Sequence, residues 1–465
     1  MDHTAQIQRI IRKLAEARKV DWRLNVFGAS SHGYHLHSPL SERKVCAFEE
    51  RYSLQLPACF RAFVTGVGNG GKISSNPGAG PYYGIYPLGK NVDELVWESE
   101  THLSRPALLR PAMTDEEWED ETKCLNQDGI SDHEQEEELG RIYSGILPLG
   151  SQGCSYLHAL VLNGPYAGRV LNLSTDGDKP KFAFEKNFLD WYERWLDEVI
   201  SGYLSNGNAS WFGYTLGGDD RQLMHLYAEA EDRQTKLDAL DGLSKLNVAS
   251  EGTCKKLVEL SGDDDAGIRH QALLMLAKFA YPMARNPLRL HIMSDDDDCL
   301  VACQAIHWYG GFQGMEWIGV LRSRLPSVNS RETFTFLSYL LVKSGVDFGE
   351  DFRPFCTHPD EKIRSHVFYS LGQLASKHYR RDLFLMGLED DSPKVVHATL
   401  QALAGVRDKE LLSAYERVQE RFKTDEHYVL TNLALRLKEM RGGSPKKVLW
   451  QWLRINALFL LRKRR

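Results

Sequence analysis

The sequence predicts two architectures in tandem: an α+β domain at the N-terminus, mostly antiparallel sheet with flanking helices, and then an all-α solenoid of helix pairs. Three observations carry this. Short apolar runs bounded by glycine and asparagine, at 146–149, 159–162 and 169–173, read as strands, with amphipathic helical stripes before and after them. Beyond Gly217-Gly218 strand signals stop and helix formers take over. There, Ile268, Leu300, Thr333, Ile363, Val395 and Tyr428 recur with steps of 32, 33, 30, 32 and 33 residues, a regular spacing that marks stacked repeats.

The elements justify this in order. At 465 residues the chain exceeds one domain on size. A first helix, 4–19, turns Ile7, Ile10, Ile11 and Leu14 inward and carries charge elsewhere, which is not the pattern of a secretory signal. His32, His35 and His37 alternate around Tyr34 and Leu36 ahead of Pro39, so they read as an extended lead-in rather than a metal cluster. Val45, Phe48 and Tyr52 fall at i, i+3 and i+7, a helical stripe with Ser41 at the N-cap position. Leu56-Pro57 interrupts it, because proline lacks the N–H and displaces its predecessor from the α region. A second helix places Phe60, Phe63 and Val64 on one side, and Gly66, Gly68, Asn69, Gly70 and Gly71 then end it and allow positive φ. Residues 82–88, rich in aromatics, read as a strand.

Between Asp115 and Glu138 the chain carries twelve acidic residues and one lysine. Such a run reads as a solvated, partly disordered loop, in which Trp118 is out of place and suggests an anchor or a partner contact. The DxDxDG spacing of a calcium loop is missing. The strands follow, and a helix over 188–199 closes the domain at about residue 214, with Trp191, Trp195 and Val199 spaced four apart as a core stripe.

The first domain, 1–214, resembles the SUKH superfamily, the Smi/Knr group that includes many bacterial immunity proteins. Three blocks carry the resemblance, in order. The first holds Phe48-Glu49, Leu56-Pro57, Phe60, Phe63, Asn69-Gly70-Gly71 and the stretch 80–88, GPYYGIYPL. The second runs from Leu147-Pro148-Leu149-Gly150 through Gly153-Cys154 and Leu160-Val161-Leu162 to Gly168-Arg169-Val170. The third holds Phe188-Leu189-Asp190-Trp191-Tyr192 and Trp195-Leu196. The long insertion over 90–141 departs from the family pattern.

Over 219–440 each unit reads as a helix, an acidic turn and a second helix, the aspartates of turns such as 263–265, 295–298 and 390–391 capping the second helix. The pattern resembles HEAT-like repeats. Arg269 and Arg364 sit where the inner arginine of such repeats would be, and Val301 and Val396 depart from it. One unit cannot bury its apolar face, so stacking is required. The repeat region thus reads first as scaffold, whose fold does not name a ligand.

Residues 441–465 carry eight basic and no acidic side chains. This amphipathic tail reads as a cap on the last repeat, as a membrane-surface helix or as a nucleic-acid-binding tail. The body before it is acidic: 21 basic against 29 acidic residues in 1–215, and 28 against 34 in 216–440. That balance favours a basic protein partner and argues against nucleic acid. Eight scattered cysteines without CxxC pairs fit reduced thiols in a cytoplasm, and no run is long and apolar enough to span a bilayer. No GxSxG, HExxH, P-loop or dinucleotide-binding pattern occurs. Cys299, Cys303 and His307 lie a turn apart on a predicted helix and read as core. Nothing points to a cofactor, a metal or an enzyme.

The resemblance implies a non-catalytic immunity protein that neutralises a toxin by direct binding. A regulatory scaffold of the Smi/Knr cell-wall type is the second reading, and a HEAT-like lyase or nucleic-acid-binding module the third. The partner-binding candidates fall in two groups. Asn69, Gly70 and Gly71 position Tyr82 and Tyr83 beside an expected surface groove, and Asp115, Glu116, Glu117, Trp118, Glu119, Asp120 and Glu121 supply negative charge.

Overall fold

The computed structural model describes residues 2–97, 100–127, 129–205, 212–311 and 313–441. Of the predicted tail, 441–465, residues 442–465 lie outside the described residues. The chain divides into two compact units, Met1–Ala249 and Ser250–Arg465. The first is α+β and the second helical. The compositional change at Gly217-Gly218 therefore lies inside the first unit, which takes in the helices Asp220–Glu229 and Arg233–Gly242.

The first unit is organised by an antiparallel sheet of four strands in the order β1 (Ile146–Gly153), β2 (Tyr156–Val161), β3 (Val170–Ser174) and β4 (Lys181–Phe182). The central strands are buried on both faces, which explains their near-continuous apolar sequence. One face, through Leu147, Leu149, Leu160 and Val170, packs on a layer that includes the mutually packed helices Thr4–Val20, Ala58–Gly66 and Phe188–Ile200. Trp191, Tyr192 and Trp195 are fully buried there, each burial of this kind contributing roughly 1.5–3 kcal/mol. Of the N-terminal helix, Ile7 and Ile10 face the core, while Ile11 is exposed and Ala17 takes the buried place instead.

The other face, through Leu157, Ala159, Val161 and Leu171, is covered by the insertion, which contributes Leu95, Leu109, Met113, Trp118 and Ile142. The acidic run is therefore not a disordered loop. It forms the helices Asp115–Thr122 and Asp132–Ile142, each opened by a complete capping box. Thr114 Oγ1 accepts from Glu117 N at 3.1 Å while the Glu117 carboxylate accepts from Thr114 N at 2.9 Å. Ser131 and Glu134 repeat the arrangement at 3.3 and 3.0 Å. Acidic side chains in a first turn also favour the positive end of the helix. A few apolar residues on the inward side then suffice to dock both helices on the sheet.

The stretch 82–88 is not a regular strand. Tyr82 and Gly84 have φ of 53° and 99°, which breaks the β ladder. The segment still runs beside β1, where Tyr86 N donates to Leu149 O at 2.6 Å and Tyr83 N to Ser151 O at 3.3 Å. Gly84 and Gly150 meet here so closely that a Cβ on Gly150 would lie 2.1 Å from Gly84 O.

The second unit carries helices and no strand among its described residues. Ala266–Ile292 packs on Asp296–Tyr309, which packs on Arg331–Ser344, and the series continues through Glu361–Leu371 and Pro393–Ala402 to Val429–Met440. Ile268, Thr333, Ile363 and Val395 are buried in the first turns of their helices. Asp265, Asp295 and Asp360 cap through the N–H groups of Ile268, Asp298 and Lys362, and Ser330 does the same for Thr333. Tyr428 breaks the register: it is exposed with φ 61°, and Val429 takes the buried position. Arg269 donates to Asp298 at 2.8 Å and to its own turn at Asp264 O. Arg364 is bidentate to Asp390 at 2.7 and 2.9 Å and bonds His358 O. Each arginine thus ties one turn to the next. No helix of the described residues is long and apolar enough to cross a membrane.

Candidate functional site

The insertion layer leaves a cleft of about 780 Å³ between its two acidic helices, the segment at residues 94–97 and the β1–β2 turn. Each wall follows from local sequence. The capped helix Asp115–Thr122 turns Trp118 inward, where it is buried and its Nε1–H donates to Gly177 O at 3.0 Å. The helix Asp132–Ile142 sends Leu139 and Ile142 to the sheet. Its Glu136 reaches back, Oε2 accepting from Trp97 N at 2.9 Å. Trp97 is thereby held by its backbone while its side chain remains open to solvent, with 76% of the residue exposed. Cys154, at the strand turn with φ 52°, is exposed and also lines the cleft.

The electrostatics are one-sided. Glu94, Asp132, Glu136 and Asp176 line the cleft, and its described lining residues include no lysine, arginine or histidine. Asp176 accepts from Ser155 Oγ at 2.5 Å. Glu94 accepts from Tyr86 Oη at 3.1 Å through one oxygen, while its other oxygen is buried without a hydrogen-bond partner among the described residues. Burial raises the Glu94 pKa and pushes the Tyr86 hydroxyl up to about 12. Four carboxylates against apolar walls focus negative potential into the cleft. Ser155 thus has a carboxylate, Asp176, as its hydrogen-bond acceptor, and the described lining residues include no imidazole or amine. The arrangement can hold a cation and offer an indole face.

The residues singled out from sequence lie in two places. The first group forms a structural loop. Asn69 is buried, and its Oδ1 accepts from Leu88 N at 2.8 Å. Gly70 has φ 76°, and a Cβ on Gly71 would lie 2.2 Å from Pro77 O. Tyr82 is not beside an open groove: it is buried, its hydroxyl 3.3 Å from Phe212 O, because its positive φ turns the ring inward. Tyr83 is half-exposed against Phe27, ring centroids 5.5 Å apart.

In the second group only Trp118 lines the cleft. Asp115 pairs with Lys179, Asp120 with Lys123 and Glu121 with Arg141, and Glu117 serves its cap and Arg110. Glu116 and Glu119 are exposed, with no ion pair among the described residues. Sequence reasoning missed Glu94, Trp97, Asp132, Glu136 and Asp176 as lining. The run DHEQEEE at 132–138 held two of them in plain view. Comparison of the chain with protein-family models and with curated proteins finds no match.

Proposed function

We propose that this is a non-catalytic protein-binding protein of the immunity type, which neutralises a basic protein toxin by direct binding through its acidic insertion layer. One observation carries the reading: an ordered layer, docked on the sheet, presents a cleft with four carboxylates and no cation among its described lining residues. Negative potential of this kind steers a cationic partner and suppresses wrong ones. The SUKH-like motifs support the immunity class. The serial packing of helices in the second unit, with Arg269 and Arg364 bridging successive turns, supports a HEAT-like solenoid that adds binding surface. Eight unpaired cysteines support a cytoplasmic setting.

The test is association of the full-length protein with a toxin encoded beside its gene. Reversing all six acidic residues of 115–121 would break a helix cap and four ion pairs, so we choose Glu116→Lys, Glu119→Lys and Glu137→Lys, which are exposed and outside the cleft lining. Association should slow by about tenfold at low salt and depend less on ionic strength. Folding stability should stay within about 0.5 kcal/mol, as at other exposed sites. An unchanged rate with an unchanged salt slope would remove the electrostatic basis of the reading.

A further inference from the structure

We infer that a row of exposed aromatic rings, on one face of the helical unit, is the docking site of this chain's own basic tail, 442–465. The site stands apart from the cleft and from the toxin reading. It also differs from a cap on the end of the last repeat.

The row follows from the repeat register. Thr333 and Ile363 are buried in the first turns of Arg331–Ser344 and Glu361–Leu371. Residues three and six further on fall beside the buried stripe. They are Phe336 and Tyr339 on one helix, His366 and Tyr369 on the next. Their rings join end to end. Phe336 lies 6.0 Å from Tyr339, Tyr339 5.3 Å from His366 and His366 5.8 Å from Tyr369, centroid to centroid. Trp308, on Asp296–Tyr309, extends the row at 6.4 Å from Phe336. Trp308 is 53% exposed, Tyr369 50% and Tyr339 37%. Burial lowers the His366 pKa to about 4, so its imidazole adds no charge at neutral pH. A contiguous patch of this kind marks an interaction surface. At the equivalent positions of Pro393–Ala402 stand Ala398 and Gln401, where the row stops.

The tail fits the row in chemistry and in reach. It carries Trp450, Trp452 and Phe459 among leucines, with Lys446, Lys447 and Arg454 interspersed. Aromatic rings receive other rings edge to face and receive cations over their faces. Residues 250–440 hold 24 basic against 27 acidic side chains, and residues 442–465 hold seven basic and no acidic ones. The sign of charge therefore favours the contact. The tail follows Val429–Met440, which packs on Pro393–Ala402, then Glu361–Leu371, then Arg331–Ser344. Tyr369 and Tyr339 thus lie two and three helix spacings away, about 20 and 30 Å at about 8–10 Å per spacing. Trp450 and Trp452 stand nine and eleven residues beyond Arg441, about 30–36 Å of extended chain. Both indoles reach the rings.

The test puts the photo-cross-linker p-benzoylphenylalanine at position 369 of the full-length protein. A second sample carries it at position 412, where Leu412 is exposed on the last helix pair. Each sample mixes ordinary and isotopically heavy chains, and linked peptides are read by mass spectrometry. Position 369 should link to residues 448–462 of a chain with the same label, and position 412 should give far fewer such links. Trp450→Ser with Trp452→Ser, or Tyr339→Ser alone, should each cut the yield at 369 by about fivefold. No tail link from 369, or a yield that neither variant lowers, would overturn the inference. Links joining ordinary to heavy chains would overturn it in favour of a second copy's tail on the row. Stronger linking from 412 would overturn it in favour of a cap on the last repeat.

Discussion

His158 shows how tightly the first unit specifies one polar position. It stands on β2, fully buried, with Nδ1 3.0 Å from Gln152 Nε2 and 3.1 Å from Asn172 Oδ1. Its ring meets Trp191 edge to face, centroids 5.0 Å apart. Burial lowers its pKa to about 3, and burial likewise lowers His32 in the same core to about 4. Both imidazoles are thus neutral in the fold and protonate first in the unfolded chain, near the ordinary value of about 6.5. Their contribution is intact above that value and is lost as pH falls toward the depressed folded values. The slope is up to about 1.4 kcal/mol per pH unit for each group. Thermal melts of the full chain between pH 7.5 and 5 should therefore show the first unit weakening with acid. His158→Gln should lower stability at pH 7.5 yet flatten that slope by about one proton. A parallel slope in parent and variant would show that His158 does not titrate on unfolding.

The two acidic helices raise the opposite question, of order where charge density argues for disorder. Their caps are the reason. Replacing Thr114 or Ser131 by alanine should each remove about 1 kcal/mol of helix stability. The expected signature is faster amide exchange over 115–122 and 132–142, with the β2–β3 pairing unaffected; unchanged exchange would mean that docking on the sheet alone holds them. The cap pattern was legible, since T-x-x-E and S-x-x-E precede both runs, but net charge masks a helix that needs only Trp118, Leu139 and Ile142 to dock. The stripes Val45/Phe48/Tyr52, Phe60/Phe63/Val64 and Trp191/Trp195/Val199 were fully legible, and all are buried, because a 3.6-residue period is a local property. The strand reading of 82–88 failed because Tyr82 and Gly84 take positive φ in a tight turn, where Gly84 N donates to Pro81 O at 3.0 Å, and an aromatic-rich composition does not reveal such a turn. The cleft was legible only through Trp118. Glu94, Trp97 and Asp176 come from separate segments that the fold alone brings together.

Where the first unit ends is a physical matter that composition and contact answer differently. Beneath the Gly217-Gly218 junction the Arg194 side chain is only 10% exposed and donates to Glu185 at 2.6 Å, to Glu198 at 2.9 Å and to Thr215 O at 2.7 Å. Lys245, from the far side of the junction, donates to the same Glu198 at 2.7 Å and to Leu216 O at 2.6 Å. Burial lowers the Lys245 pKa and Glu198 acts against it, so desolvation is not fully offset by the ion pair. The larger effect of cutting the chain at 214 would be on Arg194, which would lose a carbonyl acceptor and its cover. Such a lost buried hydrogen bond costs about 1–3 kcal/mol, and a unit of this size loses about 2–4 °C per kcal/mol. We therefore expect fragment 1–249 to unfold cooperatively and fragment 1–214 to melt several degrees lower. Arg194→Met should narrow that gap, since it leaves no donors to be stranded. If the two fragments melt together, the helices of 220–242 are passengers on the first unit, and the glycine junction is the true end of its cooperative fold.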